Sequence, residues 1–306
     1  MPTMSAKWTA KDLPDQTGRT VVVTGATSGL GLVTARELAR AGARVVLAVR
    51  DTARGEEVAR GFGGGTTEVR ELDLASLASV RAFADAWGDA PLDVLIDNAG
   101  VMATPEKRTA DGFELQIGTN HLGHFALTNL LLPHVTDRVV ILASSAHRGG
   151  KIRLDDLNWE QGRYQRWPAY QQSKLANLLF LLELQRRLTE AGSSVRAVAA
   201  HPGYAATNLQ QRTENRLMDG AMWVLNRIVA QSDEMGALPT LYAATEDVPG
   251  GAYLGPDGPF EGRGHPKLVG RTKAASDTDV ARRLWTLSEE LTGVGFSAPR
   301  SASPTP

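Results

Sequence analysis

The chain contains no cysteine. That excludes disulfides, thiolate zinc sites, iron–sulfur clusters and a cysteine nucleophile. It also suits a reducing compartment. An excess of either charge is missing too: 33 Lys and Arg against 34 Asp and Glu leave a net charge of −1. Nothing electrostatic therefore calls for nucleic acid or an anionic membrane as partner. Long apolar runs are absent, and stretches such as Val21–Val23 and Leu178–Leu182 are far too short to span a bilayer. Met1–Thr17 is polar, carries Lys7, Asp12 and Asp15, and has no apolar core of signal-peptide length. No membrane span and a cytoplasmic location are expected. What is present is ordinary globular composition, 42% hydrophobic and 22% charged over 306 residues.

Apolar β-branched runs alternate with segments of helical spacing. Strands are predicted at Thr20–Val23, Arg44–Val49, Thr67–Leu72, Val94–Ile96, Arg138–Leu142 and Val195–Ala200. Helices are predicted at Leu32–Ala41, Asp51–Phe62, Ser76–Trp87, Gly112–Leu132 and Pro168–Leu188. This alternation implies right-handed βαβ crossovers and a parallel sheet covered on both faces. The expected fold is α/β, a single doubly wound Rossmann-type domain with about seven mostly parallel strands. It would occupy residues 18–294, after an N-terminal arm (1–17) and before a flexible tail (295–306) ending in Ser, Pro and Ala. Two polar or mixed segments, 148–167 and 204–233, follow strand ends. The ligand crevice of an open α/β sheet lies there, so the first is read as an insertion and the second as a substrate lid.

Thr24-Gly25-Ala26-Thr27-Ser28-Gly29-Leu30-Gly31 joins the first predicted strand to the first helix. Glycines permit a tight turn and the close approach of a pyrophosphate, and a helix N-terminus offers free N–H groups. The second strand ends Val49-Arg50, where an NAD enzyme usually carries an acid. Arg50 could instead grip a 2′-phosphate at two points, which favours NADP(H) over NAD(H). The alternative is a solvated arginine paired with Asp51.

Tyr170 and Lys174 are four residues apart and share a helix face. A phenol titrates near pH 10 in water, and a neighbouring ammonium favours the phenolate. Such a pair can pass a proton to or from an oxygen near neutral pH. Ser144 and Ser145 end the fifth predicted strand, where a hydroxyl can hydrogen-bond a substrate oxygen as charge develops on it. Asn120 falls within a helix, where Asn is a poor fit. His121 and His124 are three apart, without a third ligand nearby in a binding pattern. They are read as packing or hydrogen-bonding residues, and no metal is expected.

With its Gly-x-x-x-Gly-x-Gly spacing, Asn98-Ala99-Gly100, Tyr170-x-x-x-Lys174 and His201-Pro202-Gly203, the chain resembles the short-chain dehydrogenase/reductase family from Thr17 to Gly255. The resemblance implies hydride transfer between NADP(H) and a carbonyl or alcohol carbon of a small molecule. It makes Tyr170 the acid/base and Ser145 the substrate-facing hydroxyl, with Ser144 structural. Lys174 would also hold the nicotinamide ribose, and Asn120 would kink its helix and hold a water of the proton relay. Gly25, Thr27, Ser28, Gly29, Leu30 and Gly31 would cradle the pyrophosphate. Asp73 and Leu74 would sit by the adenine, with a turn acid as the alternative for Asp73. Asn98, Ala99 and Gly100 would stabilise the sheet and line the cofactor. Pro202 and Gly203 would pass the nicotinamide, and Thr207 would bind its carboxamide or the pyrophosphate. Asp97 stands where many relatives carry Asn.

The long Ser145–Tyr170 interval, Arg50-Asp51, the run Asn120–Phe125 and Leu284–Glu289 resemble the retinol dehydrogenase and WW-domain-containing oxidoreductase branch. Light-dependent protochlorophyllide reductases share that branch, but their active-site cysteine is missing. Walls at 148–167, 208–228 and 253–260, with Met218, Met222 and Trp223, point to a lipophilic aldehyde, ketone or secondary alcohol. Leu175–Leu184 is apolar nearly all round, so its second face is covered either in a homo-oligomer or by the insertion. Two other functions stay open. One is a non-catalytic NADP(H) sensor, although such relatives usually lose Tyr170 or Lys174. The other is epimerisation or dehydration of a sugar nucleotide, which the glycine spacing and the short C-terminal part oppose.

Overall fold

In the computed structural model, β1 (Thr20–Thr24) is a run of Thr and Val whose Val21, Val22 and Val23 are fully buried. Burial on both faces is the mark of a central parallel strand. The structure describes residues 7–203 and 232–299. Around β1 lie β2 (Arg44–Val49), β3 (Thr67–Glu71), β4 (Leu92–Asp97), β5 (Val135–Leu142), β6 (Arg196–Ala200), β7 (Tyr253–Pro256) and β8 (Pro266–Leu268). They form one eight-stranded sheet of order β3-β2-β1-β4-β5-β6-β7-β8. All pairings are parallel except β7 with β8. The single doubly wound Rossmann-type α/β domain is therefore present, with the order reversing between β1 and β4. β8, three residues long and opened by Pro266, is too short for a period-2 pattern to show.

Among the described residues the α-helices are α1 (Gly29–Arg40), α2 (Thr52–Ala59), α3 (Leu77–Asp85), α4 (Leu115–Ile117), α5 (Gly123–Leu131), α6 (Arg166–Glu190), α7 (Asp233–Thr245) and α8 (Thr278–Thr292). Alternate valines of β1 feed two cores. Val21 and Val23 join Val33 and Leu38 of α1 and Leu241 of α7. Val22 joins Phe125 of α5, Leu178 of α6 and Trp285 of α8. Side-chain oxygens of Asp51, Ser76 and Asp277 accept the free N–H groups that open α2, α3 and α8.

Four features differ from expectation. The helix predicted at Gly112–Leu132 is broken into α4, a π-helical turn at Gly118–Leu122 and α5. Ser232 and Asp233, assigned to the lid, are the cap and first residue of α7. The arm and tail are partly folded in: Trp8 is buried and donates its indole N–H to Glu246 at 3.0 Å, and Phe296 rests on Trp285. The cover over α6 comes from α8. Trp285 meets Phe125 edge-on at 4.9 Å and Phe180 at 5.7 Å, and the Arg187 guanidinium lies 4.4 Å over its ring. The insertion adds to that cover only at the start of the apolar stretch, where a Cβ at Gly150 would lie 2.9 Å from that of Leu175.

Candidate active site

The turn after β1 is shaped by close approaches. Gly25 has φ +68°, and a Cβ there would lie 2.9 Å from that of Ala99. At Gly31 a Cβ would collide with Asn98 Nδ2 and the Gly25 carbonyl. Ser28 caps α1 in extended conformation without a side-chain hydrogen bond, so its hydroxyl leaves the N–H groups of the first turn unclaimed. Gly29 and Leu30 open the helix, and Thr27 is half-buried beside the exposed Ser28. Thr24 ties this turn to β4: its Oγ1 accepts the Asn98 and Ala99 N–H groups at 2.9 Å, and Asn98 Nδ2 donates to its carbonyl at 2.7 Å. A tight turn, a bare helix start and no crowding Cβ fit a pyrophosphate.

Tyr170 and Lys174 lie on the inward face of α6, 8% and 6% exposed. Between them Ser173 donates to the Tyr170 carbonyl at 2.8 Å and accepts from Asn120 Nδ2 at 2.9 Å. Asn120 also grips Val101: its Oδ1 accepts the Val101 N–H at 2.8 Å and its Nδ2 donates to the Val101 carbonyl at 2.9 Å. Gly100 adjoins both groups, since a Cβ there would be 3.2 Å from Asn120 Oδ1 and 3.6 Å from Lys174 Nζ. Lys174 Nζ donates to the Leu142 carbonyl at 3.0 Å, an acceptor shared with Asn177 Nδ2 at 2.9 Å. The π-turn explains Asn120, because its extra residue turns this side chain toward Val101 and Ser173.

Electrostatics corrects one expectation. Burial holds the Tyr170 phenol above its ordinary value, opposed by a hydrogen bond with Ser144. A phenol depressed by the Lys174 ammonium is not what the structure shows, because desolvation outweighs the favourable contacts. Burial also lowers Lys174 from 10.5 to about 8. The Ser144 hydroxyl, expected to be only structural, meets Tyr170. Ser144 is also fixed by its neighbours: its Oγ accepts the Ala146 N–H at 3.2 Å and its carbonyl accepts His147 Nδ1–H at 2.7 Å. Ser145, the expected hydroxyl, opens the short 3-10 turn that follows.

Arg50 is exposed at the end of β2. Asp51, the acid that could have paired with it, instead caps α2 by accepting the Arg54 N–H at 2.9 Å. Asp73 forms a local turn: its Oδ1 accepts the Ala75 N–H at 2.9 Å. Leu74 is buried against Gly123. Gly203 has φ +71° and donates its N–H to His201 Nδ1 at 3.2 Å beside Pro202. Thr207, Met218, Met222, Trp223 and most of the segment 204–233 lie outside the described residues. The insertion turns its apolar residues inward: Leu157 and Trp159 are buried, and Gln172 holds it by donating to the Leu157 carbonyl at 2.9 Å and accepting the Arg153 N–H at 3.1 Å. Those side chains serve as packing rather than as a substrate wall. Asp97, next to Asn98, is buried, which raises its carboxyl to about 8 while the Thr128 hydroxyl donates to it at 2.7 Å.

Sequence reasoning gave no role to Ser173 or Asn177, although both sit within one turn of Lys174 on the same helix. Thr24 and His124 were visible as residues, but their contact spans the chain. His121 and His124 face different partners: His121 Nε2 is 2.9 Å from Ser288 Oγ, and His124 Nε2 is 2.9 Å from Thr24 Oγ1.

A doubly wound sheet, a glycine turn at its first crossover and a buried Tyr–Lys pair on one helix define the class of dinucleotide-dependent oxidoreductases. The profile of the short chain dehydrogenase family matches residues 19–217. Human retinol dehydrogenase 13 is 43% identical over 303 residues, covering 92% of this chain and 86% of its own. Mouse polyprenol dehydrogenase is 42% identical over 302 residues, with coverage of 92% and 86%. The crystal structure of an uncharacterised protein from Mycobacterium paratuberculosis is 56% identical, with a TM-score of 0.84, covering 95% of this chain and 99% of that one. This chain belongs to the short-chain dehydrogenase/reductase family, in its retinol dehydrogenase-like branch, and is an oxidoreductase of a family that binds NAD(P).

Proposed function

We propose that this protein interconverts a carbonyl and an alcohol on a lipophilic small molecule, with NADP(H) as cofactor and Tyr170 as acid/base. The observation that carries the reading is that Lys174 and Asn120 adjoin Gly100 while Tyr170, one turn earlier on α6, meets Ser144, with Ser173 bonded to both Tyr170 and Asn120. When bound, the nicotinamide supplies the hydride to a carbonyl carbon or takes it from an alcohol carbon. Tyr170 then gives its proton to the carbonyl oxygen, or receives one from the alcohol. A phenol kept above its ordinary value by burial is fully protonated at neutral pH, which suits the reducing direction. Ser144 and Ser145 offer hydroxyls to the same substrate oxygen. Lys174, still cationic at neutral pH, draws the proton equilibrium of the phenol toward release once it turns from the Leu142 carbonyl.

In this reading Gly25 and Thr27 to Gly31 hold the pyrophosphate, and Arg50 holds the 2′-phosphate. Asp73 and Leu74 flank the adenine. Asn98, Ala99 and Gly100 line the cofactor, while Pro202, Gly203 and Thr207 meet its nicotinamide end. Support for a lipophilic substrate comes from the retinol and polyprenol dehydrogenases among the relatives. Trp167 adds to it: 48% exposed, it stands edge-on to Tyr170 with ring centroids 6.2 Å apart. A cytoplasmic location belongs to the same proposal. The test mixes purified protein with NADPH or NADH and a panel of aromatic and long-chain aldehydes, followed by absorbance near 340 nm. Turnover faster with NADPH is expected. Tight NADPH binding with no turnover on any aldehyde would favour the sensor instead.

A further inference from the structure

His124 is the second residue of α5 and is 2% exposed, and burial lowers its imidazole to about 3. The ring is therefore neutral at working pH. Its Nδ1 lies 3.1 Å from the Asn120 carbonyl, which can only accept, so Nδ1 carries the hydrogen. Nε2 must then accept, and the hydroxyl 2.9 Å away on Thr24 donates to it. The Thr24 oxygen accepts the Asn98 and Ala99 N–H groups in turn. One proton and two lone pairs complete that hydroxyl, which leaves its 3.4 Å approach to the Ile96 carbonyl unserved. Each hydrogen in this network has one assigned place.

The ring thus spans two halves of the cleft. At one end is the π-turn residue Asn120, whose side chain holds Val101 and Ser173 beside Lys174. At the other is Thr24, the last residue of β1 and the anchor of the nucleotide turn. A Leu or Phe would fill the space without desolvating two ring nitrogens. We infer that His124 is a positioning residue: in one fixed tautomer it holds the Asn120 carbonyl and the Thr24 hydroxyl in register. The proton-transfer pair and the nucleotide turn are then set relative to each other. The inference rests on the reading of Tyr170, Lys174 and the glycine turn given above.

Two substitutions separate the two ends. His124→Asn places a donor where Nδ1 stands and gives up Thr24. His124→Gln reaches toward Thr24 and gives up the donor to Asn120. Full-length variants are titrated with NADPH by fluorescence, and kcat is measured on the best aldehyde. A buried hydrogen bond lost at one end predicts an NADPH Kd about tenfold weaker for His124→Asn, with a much smaller change in kcat. His124→Gln is expected to show the converse, kcat down about tenfold and Kd nearly kept. If either histidine variant shows no cooperative melt, 15N imidazole shifts of the wild-type protein carry the test: a neutral ring protonated at Nδ1 is expected, and a ring protonated at Nε2 would overturn the inference. Proportional loss of Kd and kcat in both histidine variants would reduce His124 to packing, and no change in either would overturn the inference as well. If the wild-type chain binds NADPH but turns over nothing, the catalytic reading fails while the Kd contrast still decides the role of His124.

Discussion

Burial charges Lys174 an electrostatic cost that depends on pH. Its lowering from 10.5 to about 8 means that the unfolded chain binds more protons than the folded one between those values. Stability therefore rises with pH across that window, and the penalty is complete below about pH 8. Lys174→Met should raise the melting temperature near pH 7 while removing most of kcat, and the gain should vanish above about pH 10.5. Thermal melts at both pH values, beside turnover assays, check this. Tyr170→Phe deletes only the proton donor, so kcat should fall about 100-fold or more with NADPH affinity kept. An unchanged kcat would move the acid/base elsewhere. Arg50→Ala should weaken NADPH about tenfold and NADH little, because it removes a charge-assisted contact to the 2′-phosphate alone. Equal weakening of both would end the phosphate-clamp reading.

Among elements, the β1–α1 turn and the π-turn do opposite things with one residue. The first removes side chains so that Gly25, Gly31 and Asn98 interlock. The second adds a residue to a helix so that Asn120 reaches Val101 and Ser173. Gly31→Ala should force α1 away from Asn98, costing about 1–3 kcal/mol of stability, as overpacking does. NADPH binding should weaken at the same time, because the free N–H groups of α1 shift with the helix. Calorimetry with and without NADPH measures both, and normal binding in a stable variant would show that the contact is dispensable.

For the whole molecule, the deciding feature is that α8 returns to lie on α6. Trp285, 2% exposed, is the centre of that contact. Trp285→Ala should cost about 3–5 kcal/mol and uncover apolar surface on α6. Denaturant unfolding reads the first effect. Sedimentation reads the second: the wild type should not associate through this face, and the variant should self-associate. A wild-type dimer disrupted by substitutions on the outer side of α8 would instead place the subunit contact there.

Local pattern alone determined much of this protein. Unbroken valine runs, helical spacing, the three glycines after β1 and the Tyr-x-x-x-Lys pair each lie within a few turns of chain, where covalent geometry converts spacing directly into shape. Contacts between distant segments were decided only by tertiary packing. They brought Ser144 to Tyr170, joined Thr24 to His124 a hundred residues away, turned Leu157 and Trp159 of the insertion inward and laid α8 over α6. The physical reason is that such pairings depend on which surfaces fill a shared volume and which polar groups are left to satisfy one another. No repeat distance along the chain encodes either of these.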